Sequence, residues 1–523
     1  MVRRWTLATI AGLGGVTLAL AACDDPGSLS LRLALPDDLL LRPTGMTTVT
    51  VETRAPDEPT RVVTAPIQFD QAGHGTFDVG ELPRLPAATV TVALRTAAGR
   101  LVGYGAATDA VDLSEGADVA LSIPVRRPLI YVGNRDGGDL RAMDPTRDTT
   151  DTSHQTSIDL GTGRPRAILA LDGARMAVVT GTSVQVFDTA SHQAAGPARS
   201  VPADVSDAAV AGDGWIVLAH PGGVTALDLD DGAEVDLIDD RAIRRVAVGL
   251  ADGTPTVFAL DDQVLAPGAP DVDCEGTAQV VAVALTGGAV RALAAGAFAD
   301  IAAAPGLEGA FAVDACASSI VTAEDGTKIA EVERPSHVVR IGDTLWAAGN
   351  RLPTIVDDND TPNEFADDVI IGGSIQLVSV ATDGGGRRRI DLPAQSQVLS
   401  NLDDPAHELS NILQADAVRP LDMAVLPANE GVALITEMTA TTTALVGSEE
   451  YIPPMEVAVF DMKLVDVASA TITQQIRLAC DPVIDDTGDP TFGQWECAAA
   501  PAGTAPAGGQ YEPSAIGTLF GAT

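Results

Sequence analysis

Along most of this chain apolar and polar residues alternate one for one. Ser30-Leu31-Arg32-Leu33-Ala34-Leu35 does so, and so does Thr48-Val49-Thr50-Val51-Glu52-Thr53. Gly75-Thr76-Phe77-Asp78-Val79, Thr89-Val90-Thr91-Val92-Ala93-Leu94 and Asp118-Val119-Ala120-Leu121-Ser122-Ile123 follow. A period of two, bounded by Pro, Gly and Asp, predicts half-buried β-strands. About seven such strands over residues 30–125 predict a small β-sandwich.

From Arg126 onward the pattern repeats in units of four short strands, A to D. Strand A with its turn reads Arg166-Ala167-Ile168-Leu169-Ala170-Leu171-Asp172-Gly173, then Asp207-Ala208-Ala209-Val210-Ala211-Gly212-Asp213-Gly214. A third copy is Arg245-Val246-Ala247-Val248-Gly249-Leu250-Ala251-Asp252-Gly253. Strand B recurs as Met176–Val179, Trp215–Leu218 and Thr256–Leu260, and strand C as Val184–Asp188 and Val224–Asp228. A period near forty residues with four strands per unit predicts propeller blades. Later blades fall at Ala299–Glu333, His337–Leu392 and Arg419–Leu478. The first unit opens directly on a B-like strand at Leu129 and lacks an A strand. The chain ends on an A-like segment, Glu512–Gly521. If that segment completes the first unit, the ring has seven blades and no open edges. The expected fold is therefore all-β: a sandwich over 30–125, then a seven-bladed propeller over 126–523 closed by 512–521.

Insertions are uneven. The A–B and C–D turns are short and rich in Asp-Gly. Residues 262–278, 351–373 and 438–454 lie between strands B and C, and 394–417 and 479–511 between D and the next A. In a four-stranded meander both kinds of connection emerge on one face. Loops held by a rigid scaffold are where binding residues concentrate. The candidates on that face are Asn134, Arg135, His220, Asp261, Asp314, Asn350 and Arg351. Asp404-Pro405-Ala406-His407-Glu408, with Leu409, Ile412 and Leu413 behind it, predicts a short capped helix of the same face. The densest acidic run is Val356–Asp368; Asp358, Asp360, Asn363 and Glu364 offer the oxygen ligands that suit Ca²⁺, although EF-hand spacing and its Gly are missing. The plainer reading of that run is a solvated acidic loop.

Composition narrows the function classes. The 523 residues carry 72 acidic and 32 basic side chains, a net charge of −40. A charge of that sign repels nucleic acid, so no nucleic-acid partner is expected. Aromatics make up 3%, which leaves few stacking platforms. The six histidines have no HExxH spacing, and neither a GxSxG elbow nor a P-loop occurs. No catalytic residue is assigned.

The N-terminus sets the compartment. Arg3 and Arg4 precede the apolar stretch Thr6–Leu18, which ends in Leu20-Ala21-Ala22-Cys23. The parts and their order read as a secretory signal. Its last four residues resemble a bacterial lipobox. That resemblance implies cleavage after residue 22, lipidation of Cys23 and a tether over 23–29, with the protein anchored to the cell envelope and not spanning the membrane. The outer membrane is favoured, although Asp24 resembles an inner-membrane retention signal of some lineages. Cys274, Cys316, Cys480 and Cys497 remain, an even number in an exported chain, and two disulfides are the natural reading. The repeat map places Cys274 with Cys316 and Cys480 with Cys497.

Tyr131-Val132-Gly133-Asn134 resembles the B-strand signature of YVTN-type β-propellers. The Asp-Gly turns after strand A and the hydrophobic-Asp endings of strand C fit the same family. The likeness spans residues 126–523, with a close match in one unit. It implies the fold more firmly than the function, because propellers host many unrelated activities. The expected role is a binding or scaffold module for a protein or envelope polymer, held to the membrane by its N-terminal lipid. The alternatives are a lactonase-like hydrolase using acids of the same face, or a structural envelope lipoprotein without a discrete ligand.

Overall fold

The computed structural model describes residues 27–36, 42–54, 61–82, 88–97, 99, 101–107, 110–113, 118–134, 138–144, 155–161, 163–171, 175–189, 191–202, 204–212, 214–262, 278–351, 354–357, 369–371, 374–393, 397–401, 411–426, 431–441, 456–483, 495–497, 504–505 and 513–518. Among them every regular element is a strand.

Seven strands precede the repeats. Gly27–Ala34 pairs antiparallel with His74–Leu82 and parallel with Asp118–Pro124. Arg61–Pro66, Thr48–Arg54, Thr89–Arg95 and Leu101–Ala106 form a second sheet in that order. The period-two pattern explains the packing. Leu29, Leu31 and Leu33 turn inward onto Val49, Val51, Val90, Val92 and Leu94, while Ser30 and Arg32 face water.

Beyond Arg127 the sheets follow one another along the chain. Each pairs sequential strands antiparallel, as in Asp207–Gly212, Trp215–His220, Gly223–Asp228 and Glu234–Asp239. Where the connection is shortest the turn chemistry is explicit. Asp252 and Gly253 join Ile243–Ala251 to Thr254–Asp261 with φ of 52° and 72°. Positive φ at both central residues is the hairpin turn whose twist matches the strands.

The innermost strands define the architecture. Pro165–Ala170, Asp207–Gly212, Ile243–Ala251, Phe298–Ala302, Pro335–Ile341, Asn411–Val425 and Pro513–Thr518 each pack on the next. Pro513–Thr518 touches both Asn411–Val425 and Pro165–Ala170, which closes the circle. It also pairs antiparallel with Ile130–Asn134, Gly517 opposite Tyr131. A closed circle of sheets, each radiating from an inner strand, is a β-propeller. These inner strands are rich in Ala, Val and Gly because side chains crowd near the axis. Larger apolar residues fill the spaces between sheets: Val217, Val224 and Ala226 of one pack on Val246, Val248 and Val257 of the next.

The N-terminal strands are joined to the ring by a dry contact. Ala93, Leu101 and Tyr104 share one buried cluster with Leu129, Tyr131, Leu140, Met176 and Phe187. Beside it Arg127, 1% exposed, donates Nη1 to Asp144 Oδ2 at 2.6 Å and Nε to the Arg42 carbonyl at 2.6 Å.

Two expectations are corrected. The segments expected as loops in 394–417, 438–454 and 479–511 partly continue as strands. Gln414 pairs with Thr441, Thr441 with Glu456, and Glu456 with Val483. A continued ladder satisfies backbone groups that a buried loop would leave unpaired. The expected helix through Ile412 and Leu413 is likewise a strand there, with Ile412 opposite Val398 and Leu413 opposite Gln397. A helix that short leaves most of its end groups unbonded, whereas pairing with Gln397–Leu399 does not. Residues 402–410 lie outside the described part.

Candidate binding face and channel

One face carries the elaboration. The hairpin Thr354–Asp357 with Val369–Ile371 grows from the B–C connection of its sheet. In the last large sheet the strands run 15, 11, 11 and 13 residues, against 6 for each strand of the Asp207–Asp239 sheet. The register puts the surplus at the end where the inner strands begin. Gln397–Asn401 and Trp495–Cys497 add to it, and Trp495–Cys497 comes into contact with Thr471–Val483 at the other edge, so the extension curls.

The sequence-derived candidates on this face are mostly engaged in shaping hairpins. Asn134, 8% exposed, donates Nδ2 to Asp139 Oδ1 at 2.8 Å. His220 Nδ1 accepts from the Gly222 N–H at 3.2 Å, leaving Nε2–H to donate to Thr225 Oγ1 at 3.0 Å. Thr225 in turn donates to Asp236. Burial holds the His220 pKa below its ordinary value, against the pull of Asp236 and Asp239. Asp261 is buried and accepts from Arg241 Nη1 at 2.6 Å. Asp314 Oδ1 accepts the backbone N–H groups of Cys316 (3.0 Å) and Ala317 (2.7 Å), a turn cap. The Asn350 N–H donates to the Arg334 carbonyl, and Arg351 lies 3.7 Å from Glu333. Cys316 is disulfide-bonded. The backbones of Cys480 and Cys497 stand on the strands opposite Val459 and Leu399. Cys23, Arg135, Cys274, Asp358, Asp360, Asn363 and Glu364 lie outside the described residues.

A second constellation, not singled out in the sequence, lines the channel. Near the start of successive inner strands stand Asp207, Arg245, Asp300 and His337, with Asp422 toward the end of the longer Asn411–Val425. Asp207 Oδ2 accepts the Val246 N–H of the next inner strand at 3.0 Å, and Asp300 Oδ2 accepts the Val338 N–H at 2.9 Å. Each carboxylate thus ties one inner strand to its neighbour. Arg245 lies between them, Nη1 3.8 Å from Asp207 Oδ1 and Nε 3.7 Å from Asp300 Oδ1. Both are beyond hydrogen-bond range, and Arg245 Nε is buried without a partner among the described residues. The Arg245 side chain is 29% exposed although inner strands flank it on both sides, so its exposed part faces the lumen.

Burial raises the Asp207 pKa to about 6, against the opposing pull of Arg245. Burial also lowers His337 to about 4, while Asp300 pulls the other way. Burial works against the charge of Arg245, but Asp207, Asp300, Asp422 and Asp262 more than offset it and hold it protonated. Next to it Arg244 is committed elsewhere: it bonds Asp262 Oδ2 at 2.5 Å and the carbonyls of Ala299 and Phe298. Beside the charged ring the inner strands enclose a chamber of about 290 Å³ walled by Ile168, Val210, Val248, Ala303, Val339 and Val425. The repeat register holds the only sequence signal for this ring: a polar residue precedes the small apolar run of strand A in several copies.

No protein-family model and no curated protein matches the chain. Solved structures do. The WD40 β-propeller domain of Doa1 aligns over 60% of this chain and 83% of its own at 12% identity, with a TM-score of 0.33. The WD40 domain of Neurospora crassa Pan2 covers 58% of this chain and 82% of its own at 11% identity and TM-score 0.36. Regucalcin from Agrobacterium tumefaciens, a calcium-binding protein, covers 44% and 83% at 14% identity and TM-score 0.28. At these scores the likenesses carry no argument, and the fold rests on the closed circle of inner strands.

Proposed function

We propose that this chain is an exported, lipid-anchored binding module: a β-sandwich joined to a seven-bladed propeller that engages a protein or an envelope polymer. The observation that carries the reading is the one-sided elaboration, a hairpin and a curled strand extension on a single face. Among the described residues the added structure stands on that side, and a rigid ring presents the side it elaborates. The lipobox-like Leu20–Cys23 supports the anchor, and the −40 charge speaks against nucleic acid as the partner. His220, Asp261 and Asp314 are taken up by hairpin contacts, so these three give the lactonase-like alternative no support.

The test is cross-linking and affinity capture from native envelopes. Wild type is compared with a variant in which residues 352–373 and 442–455 are replaced by short Gly-Ser links. A partner captured by the wild type and lost from the folded variant is the expected result. An identical partner set from both would remove this face from the contact. A Cys23→Ala variant run alongside is expected in the soluble fraction; its retention in the membrane fraction would sink the anchor.

A further inference from the structure

We propose that the propeller channel is a binding site for a small zwitterionic amphiphile, an aliphatic α-amino acid being its simplest form. The site opens toward the elaborated face but is built by the inner strands, not by the hairpin or the strand extension, and does not depend on what those bind.

The ring around Arg245 holds unspent hydrogen-bonding capacity. The Arg245 guanidinium makes no hydrogen bond among the described residues, and its Nε is buried. The two nearest carboxylates each use one oxygen, Asp207 Oδ2 on the Val246 N–H and Asp300 Oδ2 on the Val338 N–H. Their Oδ1 atoms face Arg245 across 3.8 and 3.7 Å. A planar fork of donors and two acceptors therefore stand in one ring without satisfying one another. Unmade hydrogen bonds around charged groups are costly to leave, and a ligand that completes them gains correspondingly.

Charge selects the ligand. A simple anion on Arg245 meets Asp207, Asp300 and Asp422. A simple cation on the carboxylates meets Arg245 at their centre. A molecule with both charges on one carbon escapes the conflict: its carboxylate takes the guanidinium fork, and its ammonium donates to the Oδ1 atoms. The remainder must be apolar. Directly after Arg245, Asp300 and His337 come Val246, Ile301 and Val338, and these belong to the walls of the chamber. About 290 Å³ is at the lower limit of the roughly 300–1,000 Å³ of drug-sized sites, which fits a ligand of metabolite size.

The test is calorimetric titration of the mature full-length protein with leucine, 3-methylbutylamine and 4-methylpentanoate. The last two keep the branched tail and delete one charge each. Leucine is expected to bind at least ten-fold more tightly than either. Arg245→Met, with its fold checked by circular dichroism, is expected to lose that advantage. Should Arg245→Met fail to fold, Ala303→Leu fills the chamber while leaving the ring intact, and is expected to weaken leucine binding by a similar factor. No heat with leucine at millimolar concentration, equal affinity for all three, or full binding by the folded variants would each overturn the proposal. The face-trimmed variant described above should bind leucine as the wild type does.

Discussion

Asp207 and His337 occupy equivalent places on different inner strands, and burial moves them in opposite directions. The Asp207 carboxyl is raised to about 6 in the folded protein. The fold therefore favours its protonated form: that stabilisation is present in acid and is lost as pH rises through 6. His337 is lowered to about 4, so the fold favours its neutral form. That stabilisation is present above the ordinary histidine value and is lost as pH falls through 4. Between about pH 6.5 and 4 the two oppose each other. Relative to wild type, Asp207→Asn should lose stability as pH falls through this window, and His337→Gln should gain it. Urea denaturation at pH 4, 5, 6 and 7 reads both slopes; parallel curves for the three proteins would refute the assignment. Neither role was visible in the sequence, where Asp207 and His337 look like ordinary polar residues at a strand entry. Their burial follows from a neighbouring strand nearly forty residues away.

At the scale of elements the unexpected feature is how the N-terminal strands meet the ring. The sequence reads as two units, residues 30–125 and 126–523, with only a change of pattern at their boundary. Instead, Arg127 and Asp144 form an ion pair with side chains 2% and 4% exposed, flanked by a shared apolar cluster. Removing one partner of a buried pair strands the other charge and typically costs about 3–5 kcal/mol, while replacing both by apolar residues is often neutral. Asp144→Ala is expected to lower the denaturation free energy by that amount, and Arg127→Met with Asp144→Leu to recover most of it. Chemical denaturation should also show one transition for the N-terminal strands and the ring. Two separate transitions would mean that the contact does not couple them.

For the whole molecule, closure is the central fact. Pro513–Thr518 supplies the inner strand of the first ring sheet, beside Ile130–Asn134, and touches the inner strands on both sides. A chain cut before residue 513 leaves Ile130–Asn134 as an open edge at the axis, with bare backbone groups, and takes from Pro165–Ala170 and Asn411–Val425 the inner strand between them. Open edges of this kind recruit other chains. The truncated protein should therefore aggregate or form oligomers on size-exclusion chromatography. A monomer with an unchanged denaturation midpoint would show that the ring does not need its last strand.

Period-two alternation, the Asp-Gly turns and the A-like character of residues 512–521 are local properties, so the sequence by itself determined that the chain is built of short strands, where most turns fall, and that its end resembles a missing first strand. Steric and hydrogen-bonding rules acting over a few residues suffice for that. The extension of the last large sheet was not legible, because whether 411–417 or 479–483 forms a loop or a strand depends on a partner strand being in reach. The channel ring was not legible for a related reason. Asp207, Arg245, Asp300 and His337 become one site only when a closed circle brings together inner strands that are far apart in sequence. Burial, field and unspent hydrogen bonds are properties of that circle and of no single segment.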